Sequence, residues 1–142
     1  MKSIKVFIAG VMQGNRKDGL IHSQDYRKEI TNVLRGINSS VEIIDPDKTD
    51  PDRLHYSQEQ AAKMFFNYCD IVSKVDLVVS YITHASMGSA VEMWIAYNAK
   101  IPILTVTSLK SNWVVKLLST KIYPSISKLS EDKEYIKTLF NK

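Results

Sequence analysis

Apolar residues along this chain alternate between short continuous runs and longer stretches in which they recur every three or four residues. The clearest segment contains two apolar runs, Asp76–Ile82 and Ile101–Val106. Runs of this length are typical of parallel strands that are buried on both faces of a sheet. Between them, the small and polar stretch Thr83–Ser89 leads into Ala90–Ala99, which is rich in helix-forming residues. The segment therefore predicts one strand–helix–strand unit.

The rest of the chain continues this alternation. Further strands are predicted at Ile4–Ala9, Val41–Ile44 and, as a brief edge strand, Ile122–Pro124. Helical spacing of apolar residues predicts helices at His22–Ile37, Ser57–Ser73, Trp113–Ser119 and Ser130–Phe140. Polar, glycine- or proline-containing segments predict loops at Gly10–Leu20 and Asp45–Tyr56.

Five strands that alternate with helices predict an α/β fold. We expect a flavodoxin-like, doubly wound three-layer sandwich with a five-stranded, mostly parallel sheet in the order 2-1-3-4-5, and residues 1–142 as a single domain. In that order the direction of winding changes between the first and third strands, and ligands bind there at the carboxyl ends of the strands. The loops Gly10–Leu20 and Thr83–Ser89 are therefore predicted to face one crevice.

Composition narrows the classes of function. The 142 residues include 44% hydrophobic and 24% charged residues, which is ordinary for a globular protein. The net charge of +4 comes from scattered lysines and arginines, with no basic patch among aromatic residues. A nucleic-acid polymer is therefore not expected as a partner, whereas a small anionic substrate is compatible with this charge.

Cysteine content and hydropathy indicate a compartment. Cys69 is the one cysteine, which excludes an internal disulfide and suits a reducing environment, and its aromatic neighbours favour a core position over a reactive thiol. The first apolar run is too short for a signal peptide, and no run has the length of a membrane span. We therefore expect a cytoplasmic protein that does not contact membranes.

Several familiar site motifs are absent from the sequence. Gly10–Gly14 is neither a dinucleotide fingerprint nor a P-loop, because the required further glycines or the Lys-Ser/Thr pair do not follow. His22, His55 and His84 are far apart, and no closely spaced pair of His or Cys residues could fix a metal. No metal and no cofactor are therefore expected.

Glu92 is the residue that most needs an explanation. In a helix that starts at Ala90, this carboxylate lies in the first turn, where the helix dipole favours it, so it could simply be a surface or capping acid. It also follows Ser86, Gly88 and Ser89 at a junction where backbone N–H groups can hold an anion. The residues by themselves leave both interpretations open.

Four segments together resemble a known family. Asp76–Val79, Ala85–Glu92, Ala96 and Lys100–Ile103 resemble the nucleoside 2-deoxyribosyltransferase superfamily, and most closely its nucleoside 5′-monophosphate N-glycosidases. The start of the chain is also similar to that family's first strand and glycine-rich loop, through Phe7 to Gly10 followed by Asn15 and Arg16.

The resemblance implies definite chemistry. Glu92 would be the nucleophile that attacks the anomeric carbon of a nucleotide or nucleoside and forms a glycosyl–enzyme ester, which water or a second base then resolves. The start of its helix is expected to keep Glu92 ionised at neutral pH. Non-catalytic nucleotide binding or sensing in the same crevice is the alternative function.

The resemblance also implies a substrate-binding set. Ser86, Gly88 and Ser89 would bind a 5′-phosphate, although the serines could instead only cap the helix. Gly10 would lie beneath the substrate, and Asn15 and Arg16 would donate hydrogen bonds to the anion. Asn112 is the remaining residue expected to bind the substrate.

The chain departs from the family at one catalytic position. Tyr68 stands where the family carries an aspartate that helps to activate the base or to orient the sugar, and Asp70 follows two residues later. Asp70 could take this role after a local shift, Tyr68 could take it, or the general acid could be absent. Tyr81 and Trp94 are larger than the family residues, which indicates either a remodelled base pocket or core filling.

The family also implies an assembly. The loop from Ser108 to Trp113, with Asn112, lies where family members reach into a neighbouring subunit's site, so a homodimer or larger homo-oligomer with shared sites is implied. Trp113 and the two valines after it could be interface or core residues. The partner expected besides a second copy is a small nucleotide or nucleoside; the base, the sugar and the acceptor stay open.

Overall fold

The computed structural model of the chain describes residues 3–142 and contains five strands, seven α-helices and one 3-10 turn. The strands are β1 Lys5–Gly10, β2 Glu42–Ile44, β3 Leu77–Ile82, β4 Ile103–Thr107 and β5 Lys121–Tyr123. The helices are α1 Tyr26–Ile37, α2 Pro46–Thr49, α3 Gln58–Val72, α4 Met87–Asn98, α5 Trp113–Leu118, α6 Ile126–Glu131 and α7 Lys133–Phe140, and the 3-10 turn is Arg53–His55.

All five strands form one sheet in the order β2-β1-β3-β4-β5, and every neighbouring pair is parallel. The predicted strand order and fold class are confirmed, and the sheet is entirely parallel. The central strands have no exposed face: Ile8 pairs with Val79, and Val79 pairs with Leu104, and all three side chains are fully buried. Parallel strands covered on both faces explain the continuous apolar runs in the sequence.

Alternation along each strand divides the core into two halves. Ile8 of β1 packs on one side with α1, α6 and α7, while its neighbour Phe7 packs on the other side with α3, α4 and α5. The helix α1 contributes Tyr26, Ile30 and Leu34 to the first half, at the spacing of one helical face. The second half of the core, through Tyr68, borders the cavity at the carboxyl end of β1.

Several helix boundaries differ from the sequence predictions, two of them because of capping residues; α1, for example, begins at Tyr26 and not at His22. The helix α4 begins at Met87 and not at Ala90, since the Ser86 side chain accepts a hydrogen bond from the Ser89 N–H. The predicted loop after β2 contains the short helix α2, which starts because Asp45 caps it and Pro46 occupies its first position. The predicted terminal helix is two helices separated at Asp132, which lies between α6 and α7.

None of the helices within residues 3–142 combines the length and the apolar character that crossing a bilayer requires.

Candidate functional site

A cavity of about 370 Å³ opens at the carboxyl end of β1. It lies beside the switch point between β1 and β3, where the sequence pattern predicted a crevice. Much of its wall is apolar, formed by residues that include Ile8, Met12, Pro46, Met64 and Phe65. The polar side chains of the wall include Arg27, Arg53, Tyr68, Ser86, Ser89 and Glu92.

Glu92 reaches this cavity from the second turn of α4. The residue as a whole is half-buried, and its carboxyl group forms no hydrogen bond or ion pair within residues 3–142. Burial raises the pKa of Glu92 to about 8, and the positive charge of Arg27 opposes part of this rise. An acid held this way is mostly protonated at pH 7 and gains its negative charge around pH 8, with no protein partner to neutralise it.

This pKa corrects the expectation that the helix dipole keeps Glu92 ionised. Because α4 begins at Met87, Glu92 lies beyond the first turn, where the influence of the dipole has largely decayed. Desolvation therefore outweighs the dipole.

The serines and the glycine before Glu92 do line the cavity. The Ser86 hydroxyl accepts a hydrogen bond from the Ser89 N–H at 3.3 Å and donates to the Ser89 hydroxyl at 2.9 Å. A Cβ added at Gly88 would meet no atom within 4 Å, so Gly88 is not required by packing and leaves the start of α4 open. Ser86 is thus a helix cap and a cavity residue at once.

Gly10 also lines the cavity, but packing alone explains why a glycine stands there. A Cβ at Gly10 would collide with the ring and hydroxyl group of Tyr26, which lies across the end of β1. The Tyr26 hydroxyl donates a hydrogen bond to the Val11 carbonyl at 3.1 Å.

Four of the sequence-predicted site residues do not line the cavity. Arg16 is exposed and paired with Asp18, and its neighbour Asn15 is exposed as well. Asp70 is solvent-exposed and its carboxylate lies 2.8 Å from the Lys74 ammonium. Asn112 caps α5 by accepting hydrogen bonds from two backbone N–H groups of that helix.

Tyr68 lies in the cavity wall, and its acidic partner is Asp50 and not Asp70. The Tyr68 hydroxyl donates to one Asp50 oxygen at 2.5 Å, and the Tyr56 hydroxyl donates to the other at 2.6 Å. Burial and this contact raise the pKa of Tyr68. Asp70, two residues after Tyr68 on α3, is exposed to solvent and does not contact the Tyr68 hydroxyl. The acid that does contact it, Asp50, lies in the aspartate-rich segment after β2.

Two buried arginines complete the polar wall, and the sequence analysis did not single out either of them. Arg27 donates from Nη1 to the Ile8 carbonyl at 2.9 Å and to Asp45 Oδ1 at 3.1 Å. Arg53 donates from Nη2 to Asp47 Oδ1 at 2.7 Å, while its buried Nε has no partner within residues 3–142. The available signal was the cluster of aspartates after β2, since an acid that becomes buried, as Asp45 does, needs a cation.

The chain segments that follow β1 contact the end of β3 and the loop after it. The Val11 N–H donates to the Tyr81 carbonyl at 3.0 Å, and the ring of His22 stacks on His84 with centroids 4.5 Å apart. Among the described residues, no group of three or more His, Cys, Asp or Glu side chains could hold a metal ion.

Comparisons with known proteins identify the fold. No family model matches the sequence, and no curated protein matches it. A 2-deoxyribosyltransferase from Bacillus psychrosaccharolyticus superposes with a TM-score of 0.70 at 15% identity over 95% of both chains. A conserved protein from Enterococcus faecalis V583 superposes with a TM-score of 0.67 at 14% identity, over 95% of this chain and 99% of that one. At such identities the likeness establishes a shared fold.

Proposed function

We propose that this protein cleaves or transfers the N-glycosidic bond of a nucleotide or nucleoside, with Glu92 as the nucleophile. The observation that carries the proposal is an unpaired, half-buried carboxyl group in a cavity at the carboxyl end of a parallel sheet. The fold shared with a 2-deoxyribosyltransferase supports the same assignment.

The reaction requires the ionised form of Glu92. Its carboxylate would attack the anomeric carbon, the bond to the base would break, and its electron pair would leave with the base, which takes up a proton. Water or a second base would then attack the same carbon and release the carboxylate. With a pKa of about 8, about one Glu92 in ten is ionised at pH 7, so we expect the rate to rise from pH 6 to pH 8.

A nucleoside 5′-monophosphate is the substrate class that the site favours. The start of α4, a helix of 12 residues, borders the cavity with Ser86 and Ser89, and backbone N–H groups at such a start bind phosphate. Hydrolysis of a nucleoside 5′-monophosphate to the free base is therefore the reaction we propose first.

Tyr68, held by Asp50, is the residue we propose beside the substrate in place of the family's aspartate. The Tyr68 ring packs against Phe7 with centroids 5.9 Å apart, so its position is fixed from the core side as well. A rigid tyrosine in the wall can orient the sugar or the base for attack by Glu92.

We also propose that the protein is a homodimer or larger homo-oligomer. Several large apolar side chains on α3, α4 and α5 are exposed, which is unusual for so many on one side of a monomer. They include Phe66, Trp94, Trp113 and Leu117. Phe65 and Met87 are exposed too and also line the cavity, so a second copy packed on these helices would meet the cavity mouth.

The test of the enzymatic proposal is base release from a panel of nucleoside 5′-monophosphates, measured by chromatography. We expect Glu92→Gln to abolish release, while Glu42→Gln, a control at an exposed position on the edge strand, keeps it. Release by Glu92→Gln at the rate of the unmodified protein would contradict the assignment.

Nucleotide binding without turnover is the second candidate. The fact that favours it is the raised pKa of Glu92, which leaves most of the free protein without a charged nucleophile at neutral pH. This candidate predicts binding of a nucleoside 5′-monophosphate by calorimetry, with no free base after hours of incubation at pH 8.

A further inference from the structure

Arg27 and Asp45 form a buried ion pair, and Arg27 lines the same cavity as Glu92. Both residues are nearly inaccessible to solvent, with 2% and 4% exposure. The Arg27 Nη1 atom serves Asp45 and the Ile8 carbonyl, and Nε donates to Gln24 Oε1 at 2.8 Å. The Nη2 atom has no hydrogen bond within residues 3–142, although Arg27 lines the cavity that contains Glu92.

Stability alone does not account for this pair. Removing two charges from water costs several kcal/mol per ion, and apolar residues of similar volume often stabilise a fold equally well or better. An arginine with a free donor at the wall of a cavity is better explained by what its charge does to the groups inside that cavity.

We propose that Asp45 and Arg27 are a positioning pair that sets the charge state of Glu92: Arg27 favours the carboxylate, and Asp45 holds Arg27 in place and weakens its field. The inference rests on the proposed function only in so far as Glu92 is the nucleophile. Within residues 3–142, Arg27 is the one charged residue whose field acts on Glu92 appreciably, and it opposes the effect of burial.

The other titratable groups around Glu92 do not compete with this pair. Those that share the cavity wall or lie next to it are Tyr26 on α1, Arg53 in the 3-10 turn, and Tyr68 and Cys69 on α3. The pKa values of Tyr26, Tyr68 and Cys69 are raised, so these groups stay neutral at neutral pH. Arg53 is paired with Asp47.

The test is a direct titration of the Glu92 carboxyl group by carbon NMR with labelled glutamate, assigned by the signal that Glu92→Gln removes. Asp45→Asn keeps the oxygen that caps α2 and accepts from Arg27 but removes the charge. We expect it to lower the midpoint by about one pH unit, because Arg27 then acts unopposed. Arg27→Met should raise the midpoint by about one pH unit.

Arg53→Met is the matched control, since it removes another buried guanidinium group from the same cavity wall. It should leave the Glu92 midpoint unchanged. Equal shifts in Arg53→Met and Arg27→Met, or an unchanged midpoint in Asp45→Asn, would overturn the proposal. A general loosening of the site would admit water and lower the midpoint, as Asp45→Asn does, so the upward shift in Arg27→Met is the decisive result. If Arg27→Met does not fold, Arg27→Gln takes its place and should also raise the midpoint.

Base release separates this inference from the proposed function. If the midpoints move as expected while no base is released by the unmodified protein, the pair controls Glu92 and the enzymatic proposal fails. If release depends on Glu92 while the midpoints stay fixed, the enzyme stands and the pair has no such role. If both proposals hold, the pH at which kcat/KM falls on the acidic side should shift together with the Glu92 midpoint in each variant.

Discussion

The stability of the fold should depend on pH through Glu92, and this dependence can be calculated. The pKa of Glu92 is about 8 in the folded chain, against 4.5 for an ordinary glutamate. Between these values the folded state binds more protons than the unfolded state, so stability falls as pH rises. The stabilising contribution is complete below pH 4.5 and is lost as the pH rises through 8.

The size of the effect follows from the same two values. For a shift from 4.5 to about 8, linkage predicts a loss of roughly 2.5 kcal/mol between pH 5 and pH 7. Because Glu92 is only half-buried, solvent reduces this to about 2 kcal/mol. Glu92→Gln cannot ionise, so the whole loss should be missing from that variant.

The measurement is urea unfolding of the unmodified protein and of Glu92→Gln at pH 5 and pH 7. The difference between the two proteins should change by about 2 kcal/mol in favour of the glutamine variant as the pH rises, or about 6 °C in Tm. Other titrating groups cancel because both proteins contain them. A constant difference would refute the reasoning by showing that the folded pKa is not raised, and a change in favour of the unmodified protein would show that the fold stabilises the charge.

Three further predictions test the cavity and the core. Cys69 lines the cavity and its thiol pKa is raised by burial, so alkylation followed by mass spectrometry should be slow at pH 7 and should be slowed further by a bound nucleoside 5′-monophosphate. Leu34→Ala should cost about 3 kcal/mol in urea unfolding, because this side chain is fully buried under the sheet. Ser57→Ala should cost about 1 kcal/mol, since Ser57 closes a capping box with Gln60 at the start of α3.

The fold could be predicted because its signals are local and repeated. The continuous apolar runs that became β3 and β4 have no other stable place than the centre of a parallel sheet. The helix boundaries were less accurate because single side chains decide them. Ser86 accepts from the Ser89 N–H and starts α4 three residues earlier than Ala90, and this small change moves Glu92 out of the first turn.

Most of the candidate residues that do line the cavity come from one continuous stretch of sequence, with Gly10 and Tyr68 as the exceptions. Ser86, Ser89 and Glu92 lie on one helix start, so a motif could bring them together. The partner of Tyr68 could not be found this way, because Asp50 is 18 residues distant and approaches only through the packing of the segment after β2 against α3. The buried Arg27 was missed for the same reason, since its partner is 18 positions along the chain.

The carboxylate of Asp45 both starts the helix α2 and binds Arg27, which lines the cavity. It caps α2 through the Asp47 N–H at 3.0 Å, and the same oxygen accepts from Arg27. The short helix that Asp45 starts leads into the segment that supplies Arg53 to the cavity wall and Asp50 to the Tyr68 hydroxyl. Since a cap needs only an acceptor oxygen, asparagine would serve the helix equally well. The negative charge at this position is therefore explained by Arg27, and through Arg27 by the carboxyl group that faces the cavity.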